Sequence, residues 1–126
     1  MIVGVGIDLL EISRIRKTLS RRPEKFRRRI LTEGEKKYCS RFADPAPEIA
    51  ARFAAKEAFM KAIGTGLTGG VSWRDIEVVK ERKGPPRIRV RGRSGEVAAQ
   101  MGVNNIHLSI THSALYSAAY VIIEKN

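Results

Sequence analysis

Apolar residues fall along the chain in two rhythms. Short apolar or alternating runs occupy residues 2–7 (IVGVGI), 74–80, 87–91, 106–112 and 116–124, and these predict strands. In the first of them Gly4 and Gly6 permit a close backbone approach, and the run reads as a buried strand. Between the strands the spacing lengthens to three or four. Ile12, Ile15 and Leu19 make one stripe of a helix from Glu11 to about Leu19, which Pro23 keeps from continuing. Thr32-Glu33-Gly34-Glu35 has the form of a capping box opening a short helix towards Arg41. After a break at Asp44-Pro45-Ala46-Pro47, residues 48–63 (EIAARFAAKEAFMKAI) give the clearest helix, closed by Gly64. Gly66 to Gly70 is a flexible turn, and Lys83-Gly84-Pro85-Pro86 joins two strands in a hairpin-like connection. Ser94 is placed to cap a helix running through Met101 and ended by Gly102. The last two strands turn around Ser113-Ala114-Leu115. This order predicts an α+β fold, an antiparallel sheet packed against helices.

At 126 residues the chain suits one domain that folds without disulfide or metal staples. A single cysteine, Cys39, excludes an intrachain disulfide and a thiolate metal cage. No apolar run approaches a membrane span and the N-terminus lacks the anatomy of a signal peptide, so the expected compartment is the cytoplasm. The charge is more informative: 24 Lys and Arg against 13 Asp and Glu leave a formal +11, a field that attracts polyanions. Nine of the sixteen residues from Arg14 to Arg29 are basic and only Glu24 opposes them. Such a stretch is a solvated face or a docking surface. A nucleic-acid module would account for the charge, but aromatic residues make up only 6% and no zinc-finger or RNP-like motif is present.

Three features remain that charge does not explain. Glu57 sits on the long helix among Ala50, Phe53, Ala54, Met60, Lys61 and Gly64, a mostly apolar setting in which a carboxylate needs a partner. Lys61, four residues on, is within reach of an ion pair with it. Asp8 directly follows the first apolar run, either as a helix cap or as a functional group at a strand end. Together Asp8 and Glu57 offer two hard oxygen ligands, enough for an Mg²⁺ that keeps waters and binds substrate phosphates. In His107-Leu108-Ser109-Ile110-Thr111-His112, alternation sets Leu108 and Ile110 on one face and His107, Ser109 and Thr111 on the other, a row of donors suited to a phosphate or sugar. Gly64 to Gly70 lacks the ending of a phosphate loop and follows a helix, so it reads as a mobile loop. Cys39 is assigned a structural role, and Trp73 a packing one.

Val5-Gly6-Ile7-Asp8 with Phe53-Ala54-Ala55-Lys56-Glu57-Ala58-Phe59-Met60-Lys61 resembles the two-part signature of the 4′-phosphopantetheinyl transferases. His107 to Ser113 resembles a third block found in the short, single-domain branch of that family, so the resemblance runs from end to end and implies one such domain over residues 1–126. It implies transfer of 4′-phosphopantetheine from coenzyme A to a serine of an acyl carrier protein, with release of adenosine 3′,5′-bisphosphate. Asp8 and Glu57 match the family's Mg²⁺ ligands and Lys61 the lysine at the leaving phosphate, with Lys56 beside it as a further cofactor-binding residue. His107 matches a block tied to the nucleotide phosphate and the reaction centre, with Ser109 and His112 nearby. Lys61, Glu57 and His107 are thereby the implied catalytic residues, and the base that takes the serine proton stays open. The basic stretch becomes a dock for an acidic carrier protein, led by Arg14, Arg21 and Arg28. The resemblance further implies a homotrimer with active sites shared between subunits, and neither nucleic acid nor membrane as a partner.

Overall fold

The computed structural model describes residues 1–126. Strand β1 (Ile2–Glu11) leads into α1 (Ile12–Arg21), α2 (Pro23–Ile30), α3 (Glu33–Cys39) and the long α4 (Ala46–Ile63). A 3₁₀ turn (Trp73–Asp75) precedes the hairpin of β2 (Ile76–Val79) and β3 (Arg87–Val90), then α5 (Gly92–Gln100), β4 (Asn105–His112) and β5 (Tyr116–Glu124). A three-stranded sheet has the order β1-β5-β4, every pair antiparallel, and β2-β3 form a separate two-stranded sheet. The first and last elements thus pair directly, Asp8 with Ala119 and Leu10 with Ser117. No helix is long and apolar enough to cross a membrane.

Helix α4 is the centre of the molecule. Seven of its eighteen residues are alanine, and residues around its whole circumference are buried. One side lies on the sheet through Ala58 and Ala62; Phe53 stacks on Trp73 at 4.7 Å between ring centroids. Strand β1 comes very close because Gly4 and Gly6 have no side chain. A methyl group at Gly6 would overlap the Ala58 carbonyl oxygen, and one at Gly4 the carbonyl of Ala62. The helix ends at Gly64, whose φ of 80° is the left-handed C-cap conformation expected there.

The capping box at Thr32 forms in full: its hydroxyl accepts from the Glu35 amide, and Glu35 in return accepts from the Thr32 amide at 2.9 Å. Three expectations need correction. Strand β1 continues past Asp8 to Glu11, so Asp8 is a strand residue and caps no helix. It is also covered on one side only: Gly6 and Asp8 face α4 while Val5, Ile7 and Leu9 lie more than half exposed. Pro23 does end the first helix, as expected, and the basic residues after it form a second one, because proline is favourable in a first turn and forbids only continuation of the previous helix. Ser94 is buried inside α5, two residues past its start at Gly92, and caps nothing.

Candidate active site

The close seat of β1 on α4 brings the signature residues together. The Lys61 ammonium donates to the Ile7 carbonyl at 2.9 Å and to Asp8 Oδ1 at 3.1 Å, so its expected partner Glu57 is replaced by Asp8. The Glu57 carboxyl faces Asp8. Burial pushes its pKa up, and the neighbouring charge and hydrogen bonding of Asp8 push the same way against the opposing pull of Lys61. The other Asp8 oxygen, Oδ2, is buried with no hydrogen-bond partner. A buried carboxylate oxygen left bare is costly, and its natural complement is a cation. The chain has no cluster of three or more His, Cys, Asp or Glu side chains in ligating positions. Two carboxylates with the rest of the shell from water and substrate oxygens fit the habits of Mg²⁺.

The two histidines separate. The row Leu10–Ser117–His112 has the same parity as Asp8–Ala119–Ile110, so His112 lies on the helix side, at the end of β4 and two positions from the row of Asp8. His107 lies in the row Val5–Ile122–His107, on the opposite face, where its ring nitrogen pairs with the Glu124 carboxylate. Ser109 shares that outer face with Ile7 and Tyr120. Within one chain the structure therefore gathers Asp8, Glu57 and Lys61, with His112 on the same side, and sets His107 and Ser109 across the sheet from them.

Lys56 is corrected as a ligand-binding residue. It is wholly buried, and its ammonium donates to the Ile30 carbonyl at 2.5 Å, Glu35 Oε1 at 2.6 Å and the Trp73 carbonyl at 3.2 Å. A side chain with no exposed surface touches no substrate. Burial lowers its pKa, with the Glu35 charge acting the other way. Burial also holds the Cys39 thiol protonated, its pKa raised to about 11 despite the nearby Arg52 and Arg27 guanidinium groups. Cys39 is inert and structural, as expected.

Arg14 and Arg21 lie seven residues apart on α1, on one face of that helix, and both are exposed. Arg28 belongs to α2, beyond the break at Arg22, and is also exposed; none of the three is held in an ion pair. Arg16, by contrast, is tied to Asp44 at 2.6 Å.

One further cationic feature escapes sequence inspection. A cleft of about 270 Å³ between α3, α4 and the hairpin is lined by Lys37, Arg41, Arg52, Lys80 and Arg89 against one carboxylate, Glu77. Arg52 is buried there with its guanidinium 4.2 Å from the centre of the Tyr38 ring. These residues come from separated segments with no shared period, so no local pattern announces them.

Comparison with known proteins places these motifs. The family described as the 4′-phosphopantetheinyl transferase superfamily matches residues 4–121. A holo-[acyl-carrier-protein] synthase from Solibacter usitatus is 50% identical over 98% of this chain and 99% of its own. The crystal structure of such a synthase from Bacillus anthracis, in complex with CoA (3′,5′-ADP), is 39% identical, with a TM-score of 0.84 over 100% of this chain and 99% of that one. The synthase structure from Neisseria meningitidis superposes with a TM-score of 0.89 at 34% identity, covering 99% of this chain and 100% of that one.

Proposed function

The chain belongs to the 4′-phosphopantetheinyl transferase superfamily, among its holo-[acyl-carrier-protein] synthases, and from that premise we propose how its own residues carry the transfer. The substrates are coenzyme A and an apo acyl carrier protein; the pantetheine arm moves to a serine hydroxyl and adenosine 3′,5′-bisphosphate leaves. The observation that supports this reading is the joining of Asp8, Glu57 and Lys61 at the contact of β1 with α4.

Phosphoryl transfer needs alignment and charge neutralisation more than covalent participation by the protein. Asp8 and Glu57 are the residues to hold Mg²⁺, which when bound neutralises phosphate charge and polarises a phosphoryl oxygen. Lys61 uses two of its three ammonium hydrogens on Ile7 and Asp8 and keeps a half-exposed head, so the third is free to meet the leaving phosphate. Its two internal bonds hold that hydrogen in a fixed direction, so little reorganisation is needed as charge develops.

The outer face of the sheet supports subunit sharing. Val5, Ile7, Leu9 and Tyr120 expose an apolar surface that a lone soluble chain has reason to cover, and His107 and Ser109 lie on it. In a homotrimer with sites at its interfaces, His107 and Ser109 serve a substrate held partly by the neighbouring subunit, and His112 serves its own. Arg14, Arg21 and Arg28, exposed and unpaired, form the dock for the acidic carrier protein, where complementary charge speeds encounter and sets orientation. The cytoplasm, as the place of fatty-acid synthesis, is the matching compartment.

Intact-mass spectrometry of an apo carrier protein with this protein, coenzyme A and Mg²⁺ tests the reading. The expected result is a gain of one phosphopantetheine mass that EDTA abolishes. No gain with several apo carriers overturns it.

A further inference from the structure

Helix α4 presents a problem of aim. Seven of its eighteen residues are alanine and most of its circumference is buried, so beyond the seat of Ala58 and Ala62 on β1 its small side chains interlock little with their neighbours. Yet Glu57 must point at Asp8. A rotation of roughly 20° at a side-chain radius of about 5–6 Å displaces a carboxylate by about 2 Å, enough to undo a pre-formed charge site.

Lys56 adds directional bonds to that packing. Its three partners belong to three other segments: the last carbonyl of α2, the carboxylate of Glu35 on α3 and the Trp73 carbonyl in the 3₁₀ turn. Glu35 is itself fixed, accepting from the Thr32 amide at 2.9 Å and the Val78 amide at 2.8 Å. Both side chains of the pair are fully buried. A buried pair of this kind adds little net stability compared with apolar residues of the same volume. Its directional geometry is therefore the better account of its presence.

We infer that Lys56 is a positioning residue that fixes the rotation of α4, so that Glu57 meets Asp8 and Lys61 reaches the Ile7 carbonyl. The inference rests on the proposed role of Asp8 and Glu57 as the cation-binding pair. It makes Lys56 an indirect contributor that touches neither substrate nor ion.

The test compares wild type with Lys56→Met/Glu35→Gln, which removes both charges and keeps volume and an acceptor for one of the Thr32 and Val78 amides. Melting temperature, Mn²⁺ affinity by electron paramagnetic resonance and steady-state kinetics are read together. The expected result is a cooperative melt below that of wild type, since the Ile30 and Trp73 carbonyls lose a donor, and, at temperatures where the variant is fully folded, Mn²⁺ affinity weakened about tenfold and kcat lowered about tenfold with KM for the carrier unchanged. Glu35→Gln alone, which leaves the bonds of Lys56 to Ile30 and Trp73, keeps wild-type Mn²⁺ affinity. Wild-type Mn²⁺ affinity and kcat in the folded double variant overturn the inference. If that variant does not melt cooperatively, Lys56→Gln takes the same assays under the same criteria; failure of both to fold also overturns it, since Lys56 is then a requirement of the fold as a whole. Glu57→Gln separates the two layers. If it binds Mn²⁺ as wild type does, the cation-pair reading fails, and the split between kcat and KM still judges Lys56.

Discussion

Burial and the facing Asp8 carboxylate both disfavour the charge on Glu57 and raise its pKa. Glu57→Gln keeps the shape of the side chain and removes the carboxylate proposed to hold the cation. Transfer is expected to fall by about 100-fold or more, the order seen when a charge-stabilising group leaves an active site, while circular dichroism and melting show an intact fold. Glu77 offers a contrasting case at the same scale. The Thr32 hydroxyl, 2.5 Å away, holds its pKa below the ordinary value of 4.5, with Arg89 assisting. A carboxylate depressed in the folded state stabilises above its unfolded pKa and loses that contribution as pH falls through the folded one. The Arg89 partner of Glu77 is mostly exposed and screened by water, so the effect is on the order of 0.5 kcal/mol. Glu77→Gln is therefore expected to melt slightly below wild type at pH 7, with the gap closing below pH 4.5, as thermal melts across that range will show.

At the scale of elements, the decisive contact is glycine backbone against helix backbone. Gly6→Ala puts a methyl group into the Ala58 carbonyl, and overpacking of this kind costs about 1–3 kcal/mol. Because the strand must move away, Lys61 parts from Ile7 and Asp8. The expected outcome is a lower melting temperature and a loss of kcat that persists at temperatures where the variant is fully folded. Much of this level was legible in the sequence. Gly4 and Gly6 signalled close approach, Thr32 and Glu35 a capping box, and Gly64 a helix end, because each is a local device with its own chemistry. What the sequence withheld was partnership between distant segments. Glu57 and Lys61 at a helical spacing suggested each other, whereas the fold gives Lys61 to Asp8, 53 residues away. Lys56 beside them carried the same charge signal as a phosphate ligand, and only the packing of α2, α3 and the 3₁₀ turn over it shows an interior group.

For the molecule as a whole, the two surfaces left open make separate predictions. Ile7 is 61% exposed on the outer sheet face, so Ile7→Asp leaves the single chain's core untouched. It is expected to run as a folded monomer on size-exclusion chromatography with light scattering, and to lose transfer because the proposed shared sites cannot form. Arg14→Glu reverses charge on the docking face and is expected to raise KM for the carrier several-fold while KM for coenzyme A stays within twofold. Added salt should weaken carrier binding by the wild type more than by this variant. Equal effects on both substrates would remove the case for a dock.

The opposite facing of His107 and His112 has a consequence for how this chain tolerates change in length. Strand β4 serves both sides of the sheet by simple alternation, so losing or gaining one residue between the two histidines exchanges every side chain that follows. Ile110 would turn to water and Thr111 to the core, and His112 would leave the side that holds Asp8. Losing two residues restores the facing and shifts only the position along the strand. Library variants with indels in this segment should therefore survive in even steps and vanish in odd ones, whatever residues are inserted or removed.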